Sequence, residues 1–243
     1  MIDKFYVRYR EDFPDTVNNF AALEGFRQIG IETAPFYGFG DVETLDLGPH
    51  AGVAGFVCDV HKALEKLGLP LPDPMDYPEE LQRFLGREVR STTLGEIRRT
   101  TKPAFIKPKL LKEFTGLVWD ASRGVRLSLA TCPDELEVWA SEIVDFVSEY
   151  RCFILNGTIL DVQRYKGKWW VAPDFLEVVS SVEAYCNAPI AYALDFGVTS
   201  DGRTLLIEGN DGYALGHYGL PSFQYAKILE ARWEELTQPL LGV

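Results

Sequence analysis

The spacing of hydrophobic and polar residues predicts a β-α-β unit at the start of the chain. Residues 4–10 alternate as a strand does, residues 15–28 follow a helical spacing that ends before Gly30, and residues 33–37 suit a second strand. Apolar residues then recur at helical spacing from Val53 through Leu67. This second pattern predicts an amphipathic helix that stops at a glycine.

A proline-rich connector separates this opening from a region with a different pattern. Residues 69–78, LPLPDPMDYP, should form a stiff connector, and residues 79–85 suit a short helix. From Pro103 onward the pattern changes to strands and tight hairpins, closed by a helix. We therefore predict a small α/β domain over residues 1–100 and an α+β domain over residues 101–243.

The hairpin that turns at Asp201-Gly202 brings two carboxylates together. If these are the two loop residues of a type I′ turn, Asp195 and Glu208 face each other with Cβ atoms about 5 Å apart. The strand period of two places Asn210 on the same face. Facing acids are neutralised by a hard cation such as Mg²⁺ or Mn²⁺, or they point to solvent on an outer face of the sheet. Both interpretations stay open at this point.

A second hairpin is predicted to turn at residues 156–157, an Asn-Gly pair. The same count places Glu149 opposite Arg164 and Arg151 opposite Val162. Glu149 and Arg151 then share a face, so they form either a cross-strand ion pair or a site in which Arg151 holds a phosphate or a developing oxyanion.

Lys107 lies where a short apolar strand ends, in PAFIKPKLLKEFTG (residues 103–116). A lysine held at a strand end is a point charge suited to the phosphates of ATP, although an ordinary surface lysine has the same appearance. The loop that follows carries Lys112, Thr115 and Gly116.

The charge of the chain argues against general binding to nucleic acid. The net charge of the 243 residues is −12, whereas phosphate neutralisation needs a basic surface. One basic island interrupts this acidity, with six basic residues and no acidic one between Ile97 and Lys112: Arg98, Arg99, Lys102, Lys107, Lys109 and Lys112. The island suits a small polyanion, or it is a solvated face.

Cysteine and histidine usage restricts the class of protein further. The four cysteines are far apart and have no metal-like spacing, which predicts reduced thiols in a cytoplasmic protein. Only three histidines are present, so zinc is a poor candidate. No apolar run is long enough to span a membrane, and we expect no membrane association.

Taken in chain order, these motifs resemble those of ATP-grasp proteins. The resemblance rests on Lys107 at its strand end, on ASEIVDFVSEYRCFILNG (residues 140–157), on LDFG (residues 194–197) and on the E-x-N of Glu208 and Asn210. It covers residues from about 103 to 216 and is closest to an ATP-grasp clade of bacteria and their phages. It implies an ATP-grasp fold, with two α+β subdomains that grip ATP, preceded by a small α/β domain.

The resemblance also implies roles for individual residues. Lys107 would bind the α- and β-phosphates of ATP. The interdomain strand that reads adenine would consist of Glu142, Ile143 and Val144. The magnesium ions, with manganese as a substitute, would be held by Asp195, Glu208 and Asn210.

The remaining implied roles concern Arg151 and the loop over the phosphates. Arg151 would stabilise the transferred phosphoryl group or acyl phosphate, and Lys112 would belong to the covering loop. Two departures stand out: KLLKEFTG has a single glycine where the family's loop is glycine-rich, so that closure would rely on Lys112 and Thr115, and Gly209 replaces the usual aliphatic residue of E-x-N.

The implied activity is that of an ATP-dependent carboxylate-amine ligase, which joins an acid and an amine through an acyl phosphate. A kinase on the same fold and a nucleotide-binding module without turnover are the alternatives. Tyr213, His217 and Tyr218 follow the expected metal ligands, so they either face the substrates or pack under the last helix. Small molecules or peptides would supply the carboxylate and the amine, and the final helix, over residues 222–236, leaves homodimerisation open.

Overall fold

The computed structural model describes residues 2–110 and 113–242. This part of the chain contains three sheets of four strands each. The strands, in chain order, are β1 (Lys4–Arg10), β2 (Phe13–Pro14), β3 (Glu32–Phe36), β4 (Ala51–Ala54), β5 (Val89–Thr93), β6 (Ala104–Pro108), β7 (Leu117–Trp119), β8 (Glu137–Ser141), β9 (Phe146–Leu155), β10 (Thr158–Gly167), β11 (Ala191–Thr199) and β12 (Thr204–Asp211). The helices are α1 (Val17–Ile29), α2 (Val57–Lys66), α3 (Leu94–Arg98), α4 (Arg123–Ser128), α5 (Phe175–Ala184) and α6 (Ser222–Thr237), with 3₁₀ turns over Phe39–Thr44, Glu79–Phe84 and Gln238–Leu241.

The first sheet confirms the predicted β-α-β opening. β1 pairs in parallel with β3 on one side and with β4 on the other, and the short β2 extends the sheet by an antiparallel pair. Helix α1 ends at Gly30, whose left-handed backbone (φ 83°) lets its N–H reach the carbonyl oxygens of Arg27 and Phe26.

One prediction in this region is wrong. Val53 was assigned to the amphipathic helix, but it lies in β4, and α2 begins only at Val57. Pairing explains the difference, because Val53 and Ala54 lie opposite Tyr6 and Val7 of β1 and are buried there. A short apolar run before a helix fits either structure locally, and the tertiary pairing decides between them.

The second sheet is antiparallel, in the order β5-β8-β6-β7, and it has its own small core around Trp119 and Leu94. Strand β5 precedes residue 100 and pairs with β8 along its whole length. The division of the chain at residue 100 stays a prediction.

The third sheet has the order β10-β9-β11-β12 and contains both predicted hairpins. Its first turn is the predicted Asn-Gly turn, with φ of 50° at Asn156 and 69° at Gly157. Further along, two irregularities in β10 shift the register. The predicted pairing is therefore wrong: Glu149 lies opposite Lys166, not Arg164, and Arg151 lies opposite Gln163, not Val162.

The second hairpin gives the predicted acid pair by a different route. Thr199 and Arg203 close a three-residue loop in which Gly202 is left-handed (φ 86°), so the predicted two-residue turn is wrong. The register near the loop is consequently shifted by one residue. A bulge between Phe196 and Asp195 restores it, and Asp195 lies directly opposite Glu208 as predicted.

The packing joins the first and third sheets and leaves a cleft beside the second. One large core contains residues of β1, α1 and α6 together with buried residues of the third sheet, such as Phe5, Phe26, Trp233 and Phe153. The connector of residues 69–78 runs between the second and third sheets. Across residues 2–110 and 113–242, no helix has the length and apolar character that a membrane crossing needs.

Candidate nucleotide site

A cavity of about 440 Å³ lies where the second sheet, the third sheet and the connector meet. Lys107 of β6 lines one side, and Glu208 and Asn210 of β12 line the other. Asp76 of the connector and Tyr213 also contribute to its wall. Three of the residues predicted from sequence thus share one cavity, because the end of β6 in one sheet faces the end of β12 in the other.

Lys107 is the central cation of this cavity. Its ammonium donates to Asp76 Oδ1 and to Glu208 Oε2, and it lies 4.8 Å from the centre of the Tyr77 ring. Burial alone would lower the pKa of Lys107, but the charge of Glu208, with smaller contributions from Tyr77 and Asp76, outweighs it and raises the pKa above its ordinary value. The side chain is therefore a fixed positive charge at the cavity wall.

Asp195 and Arg151 form a buried ion pair beneath the cavity. Arg151 Nε and Nη2 donate to the two Asp195 oxygens, each at 2.8 Å, and both side chains are buried. Burial raises the pKa of the Asp195 carboxyl, and the hydrogen bonds from Arg151 oppose that shift. Asn210 Nδ2 also donates to Asp195, at 3.2 Å. Both Asp195 oxygens are thus engaged by protein donors, and the role of Asp195 as a metal ligand stays a prediction.

The chemistry of the cavity wall fits a magnesium ion at Glu208 and Asn210. In the part of the chain that is described, no three His, Cys, Asp or Glu side chains gather into a metal-binding group. Magnesium in nucleotide sites is commonly held by one or two carboxylates, with phosphate and water oxygens completing its shell. One carboxylate and one amide on β12, both facing the cavity, meet that requirement when a nucleotide supplies the phosphates.

The predicted adenine-reading residues lie apart from Lys107. Glu142, Ile143 and Val144 run as an irregular link between β8 and β9, not as a strand. Glu142 and Glu88 exchange two hydrogen bonds, from the Glu142 N–H to the Glu88 carbonyl (3.2 Å) and from the Glu88 N–H to the Glu142 carboxylate (3.1 Å). Glu142 and Ile143 line a second cavity of about 300 Å³, at the other end of the same sheet region.

The match of the sequence to known families decides what kind of protein this is. A family model that describes an ATP-grasp domain, the second family of its clade, matches residues 84–228. The chain belongs to this ATP-grasp family. No curated protein sequence matches the chain.

Solved structures confirm the ATP-grasp fold. D-cycloserine synthetase superposes with a TM-score of 0.57 at 12% identity, over 95% of this chain and 99% of that one. D-alanine--D-alanine ligase from Bacillus anthracis gives 0.57 at 14% identity, over 97% of each chain. L-amino acid ligase from Bacillus licheniformis gives 0.57 at 13% identity, over 95% of this chain and 75% of that one. At such low identity the similarity establishes the fold alone.

The other predicted site residues of this ATP-grasp chain are divided between the cavity and its surroundings. Thr115 and Tyr213 line the cavity, whereas Lys112 lies outside the described residues. The N–H of His217 donates to a side chain of α1, and the Tyr218 ring lies 4.8 Å from the Arg151 guanidinium carbon.

Two residues of the cavity were missed by the sequence reasoning. Asp76 stands in the proline-rich connector, where an acid looks like a solubilising charge. His61 lies on α2, and its Nε2 is 2.8 Å from the Tyr213 hydroxyl. Burial lowers the pKa of His61, against the opposing charges of Glu65 and Asp211. Neither residue belongs to a local motif, and only the fold brings them to the cavity.

Proposed function

We propose that this chain is an ATP-dependent carboxylate-amine ligase. The observation that carries the proposal is the placement of Lys107 across one cavity from Glu208 and Asn210, between the two sheets of an ATP-grasp fold. Two of the similar solved structures are ligases that act on amino acids, according to their names, which supports the same reaction class here.

In this proposal the nucleotide spans both cavities. Lys107 binds the α- and β-phosphates, and the link of residues 142–144 contacts adenine. Glu208 and Asn210 would hold Mg²⁺, with Mn²⁺ as a substitute. The ion supplies charge neutralisation and orientation of the phosphates when it is bound.

The reaction then proceeds in two displacements. An oxygen of the substrate carboxylate attacks the γ-phosphorus, the bond from that phosphorus to the bridging oxygen breaks, and ADP leaves. The amine nitrogen attacks the carbon of the acyl phosphate, the bond from that carbon to the phosphate oxygen breaks, inorganic phosphate leaves, and the nitrogen gives up a proton. Both steps ask the protein chiefly for positioning and charge.

The chain's own residues support this chemistry by charge and not by covalent catalysis. Burial raises the pKa of the Cys152 thiol to about 12, which makes it unsuitable as a nucleophile. Arg151 is the candidate for the transferred phosphoryl group. Its Nη1 bond to the Gly216 carbonyl oxygen is the longest of its three described hydrogen bonds, at 3.3 Å, and it is the one that a phosphate oxygen would replace.

The substrates, location and assembly belong to the same proposal. Amino acids or peptides would supply the carboxylate and the amine, since the cavity offers cationic and polar groups to both. We place the enzyme in the cytoplasm, where ATP is available, and leave homodimerisation to measurement. Neither nucleic acid nor a membrane is needed for the reaction.

The first test is nucleotide binding, measured as thermal unfolding with and without ATP and Mg²⁺. A ligand at 100 times its Kd stabilises the fold by about 2.7 kcal/mol, which is a rise in Tm of about 5 to 10 °C for a chain of this size. Lys107→Ala and Glu208→Gln should abolish the rise. Lys227→Ala and Glu183→Gln change exposed residues outside the cavity and should retain it.

The second test is turnover. The enzyme is incubated with ATP, Mg²⁺ and pairs drawn from the amino acids and dipeptides, and release of ADP and phosphate is followed. A substrate carboxylate labelled with oxygen-18 should pass one labelled oxygen to the released phosphate. ADP formation with a stable phosphoester and no free phosphate would indicate the kinase instead, and binding without ADP formation across the panel would indicate a module without turnover.

A further inference from the structure

The connector is seated directly on the strand that carries Glu208. The Gly209 N–H donates to the Asp76 carbonyl oxygen at 2.9 Å. A Cβ at position 209 would lie 2.9 Å from the Met75 carbonyl oxygen, closer than real side chains approach. The glycine that departs from the family's usual E-x-N pattern therefore gives the connector room to lie against β12.

This seat fixes the Asp76 side chain in the cavity. One carboxylate oxygen accepts from Lys107, and the other accepts from the Trp139 indole N–H at 3.2 Å. The adjacent Tyr77 ring packs edge-on against Trp139, with ring centres 5.1 Å apart. Asp76 is thus held by β6, β8 and β12 together, and it has no freedom to turn away from the ammonium.

The charge balance around the ammonium is negative. Lys107 contributes one positive charge, and its two partners, Asp76 and Glu208, contribute two negative ones. The two further charged side chains of the cavity wall, Lys109 and Asp73, are opposite in sign. A polyanion without a counter-ion therefore meets net repulsion at the place where the phosphates should bind.

We infer that Asp76 makes this site selective for metal-complexed nucleotide over metal-free nucleotide. The inference rests on the proposed nucleotide binding and goes beyond it in assigning a specificity role to the connector. Free ATP presents its full negative charge to both carboxylates. The magnesium complex presents less, and a cation at Glu208 and Asn210 lies close enough to Asp76 to be attracted by it.

The test compares the affinity for a non-hydrolysable ATP analogue in excess Mg²⁺ and in EDTA, by titration calorimetry. The ratio of the two Kd values is the magnesium selectivity. Asp76→Asn should bind the metal-free analogue about three to ten times more tightly than the wild type, and its selectivity should fall by a similar factor. Asp73→Asn removes the same charge from an exposed position of the same connector, and its selectivity should be unchanged.

Two further variants separate charge from folding. Asp76→Glu keeps the charge and should keep the selectivity. Gly209→Ala should push the connector off β12 and lower the selectivity while every charge remains. Melting temperatures without ligand show which variants are folded, and if Asp76→Asn is not, the comparison of Asp76→Glu with Gly209→Ala decides the question.

Several results would overturn the inference. Equal selectivity in Asp76→Asn and Asp73→Asn would do so, and so would a parallel loss of affinity with and without Mg²⁺, which is what a purely structural role predicts. A wild type that binds no analogue in either condition would overturn the nucleotide site as well. Retained binding and selectivity without any amide product would overturn only the ligase.

Discussion

Replacing Asp195 by asparagine tests whether this acid is a structural partner of Arg151 or a metal ligand. In the wild type both carboxylate oxygens accept hydrogen bonds from the guanidinium, and the Arg151 and Asp195 side chains are only 7% and 4% exposed. Asparagine preserves the shape but leaves the guanidinium without a counter-charge. Its desolvation is then no longer compensated.

The magnitude follows from burial. Breaking a buried ion pair by removing one partner typically costs about 3 to 5 kcal/mol. For a chain of this length each kcal/mol lowers Tm by about 2 to 4 °C, so the variant should melt about 6 to 20 °C below the wild type. The double variant Arg151→Gln with Asp195→Asn removes both charges and should recover part of that loss, which measures the coupling between the two side chains.

The assay is unfolding by heat and by urea, without ligand and then with ATP and Mg²⁺. If Asp195 is chiefly a metal ligand, its removal should leave the unliganded Tm within about 2 °C of the wild type, as surface changes do, and abolish the magnesium-dependent rise. That result would refute the reasoning from the ion pair. A large loss of unliganded stability with a preserved magnesium-dependent rise would support it.

Three further predictions concern stability. Gly25→Ala places a Cβ 1.9 Å from the first carbonyl oxygen of α6 and should cost about 1 to 3 kcal/mol in urea unfolding, whereas Gly124→Ala enters open space in α4 and should cost nothing. Thr16→Ala removes the side-chain cap of α1 and should cost about 1 kcal/mol by the same measurement. Burial lowers the pKa of His61 and of His217, so the unfolded chain binds more protons below the ordinary value of 6.5; the urea midpoint should fall as the pH drops through that value, and glutamine at both positions should flatten the dependence.

The amount of the fold that the sequence predicts depends on how local the deciding interaction is. Strand β1 and helix α1 were predicted well because each has a clear period and a glycine ends the helix. Val53 was misplaced because its pairing with β1 is formed by residues more than 40 positions away, which no local pattern reports. The register of β10 was missed for a related reason, since bulges leave no reliable mark in the sequence.

The site shows the same division. Lys107, Glu208 and Asn210 could be identified because each closes an apolar strand, and strand ends from two sheets meet at one cavity. Asp76 could not, because its position depends on a connector that is held by Gly209 on another strand. The unusual Gly209 was visible in the sequence, but its meaning required knowing what lies against it.

The two acids that face each other at the end of the third sheet differ in which partner can be replaced. Each already has a cation from the protein, Lys107 for Glu208 and Arg151 for Asp195. Lys107 lies at a cavity wall, so its ammonium can move to a phosphate while a hydrated metal ion takes its place beside Glu208. Arg151 is sealed in the core, and separating it from Asp195 would leave two charges without water or partner. Cation exchange is therefore confined to Glu208, and the same register that makes the acids neighbours assigns one of them to the ligand and the other to the fold.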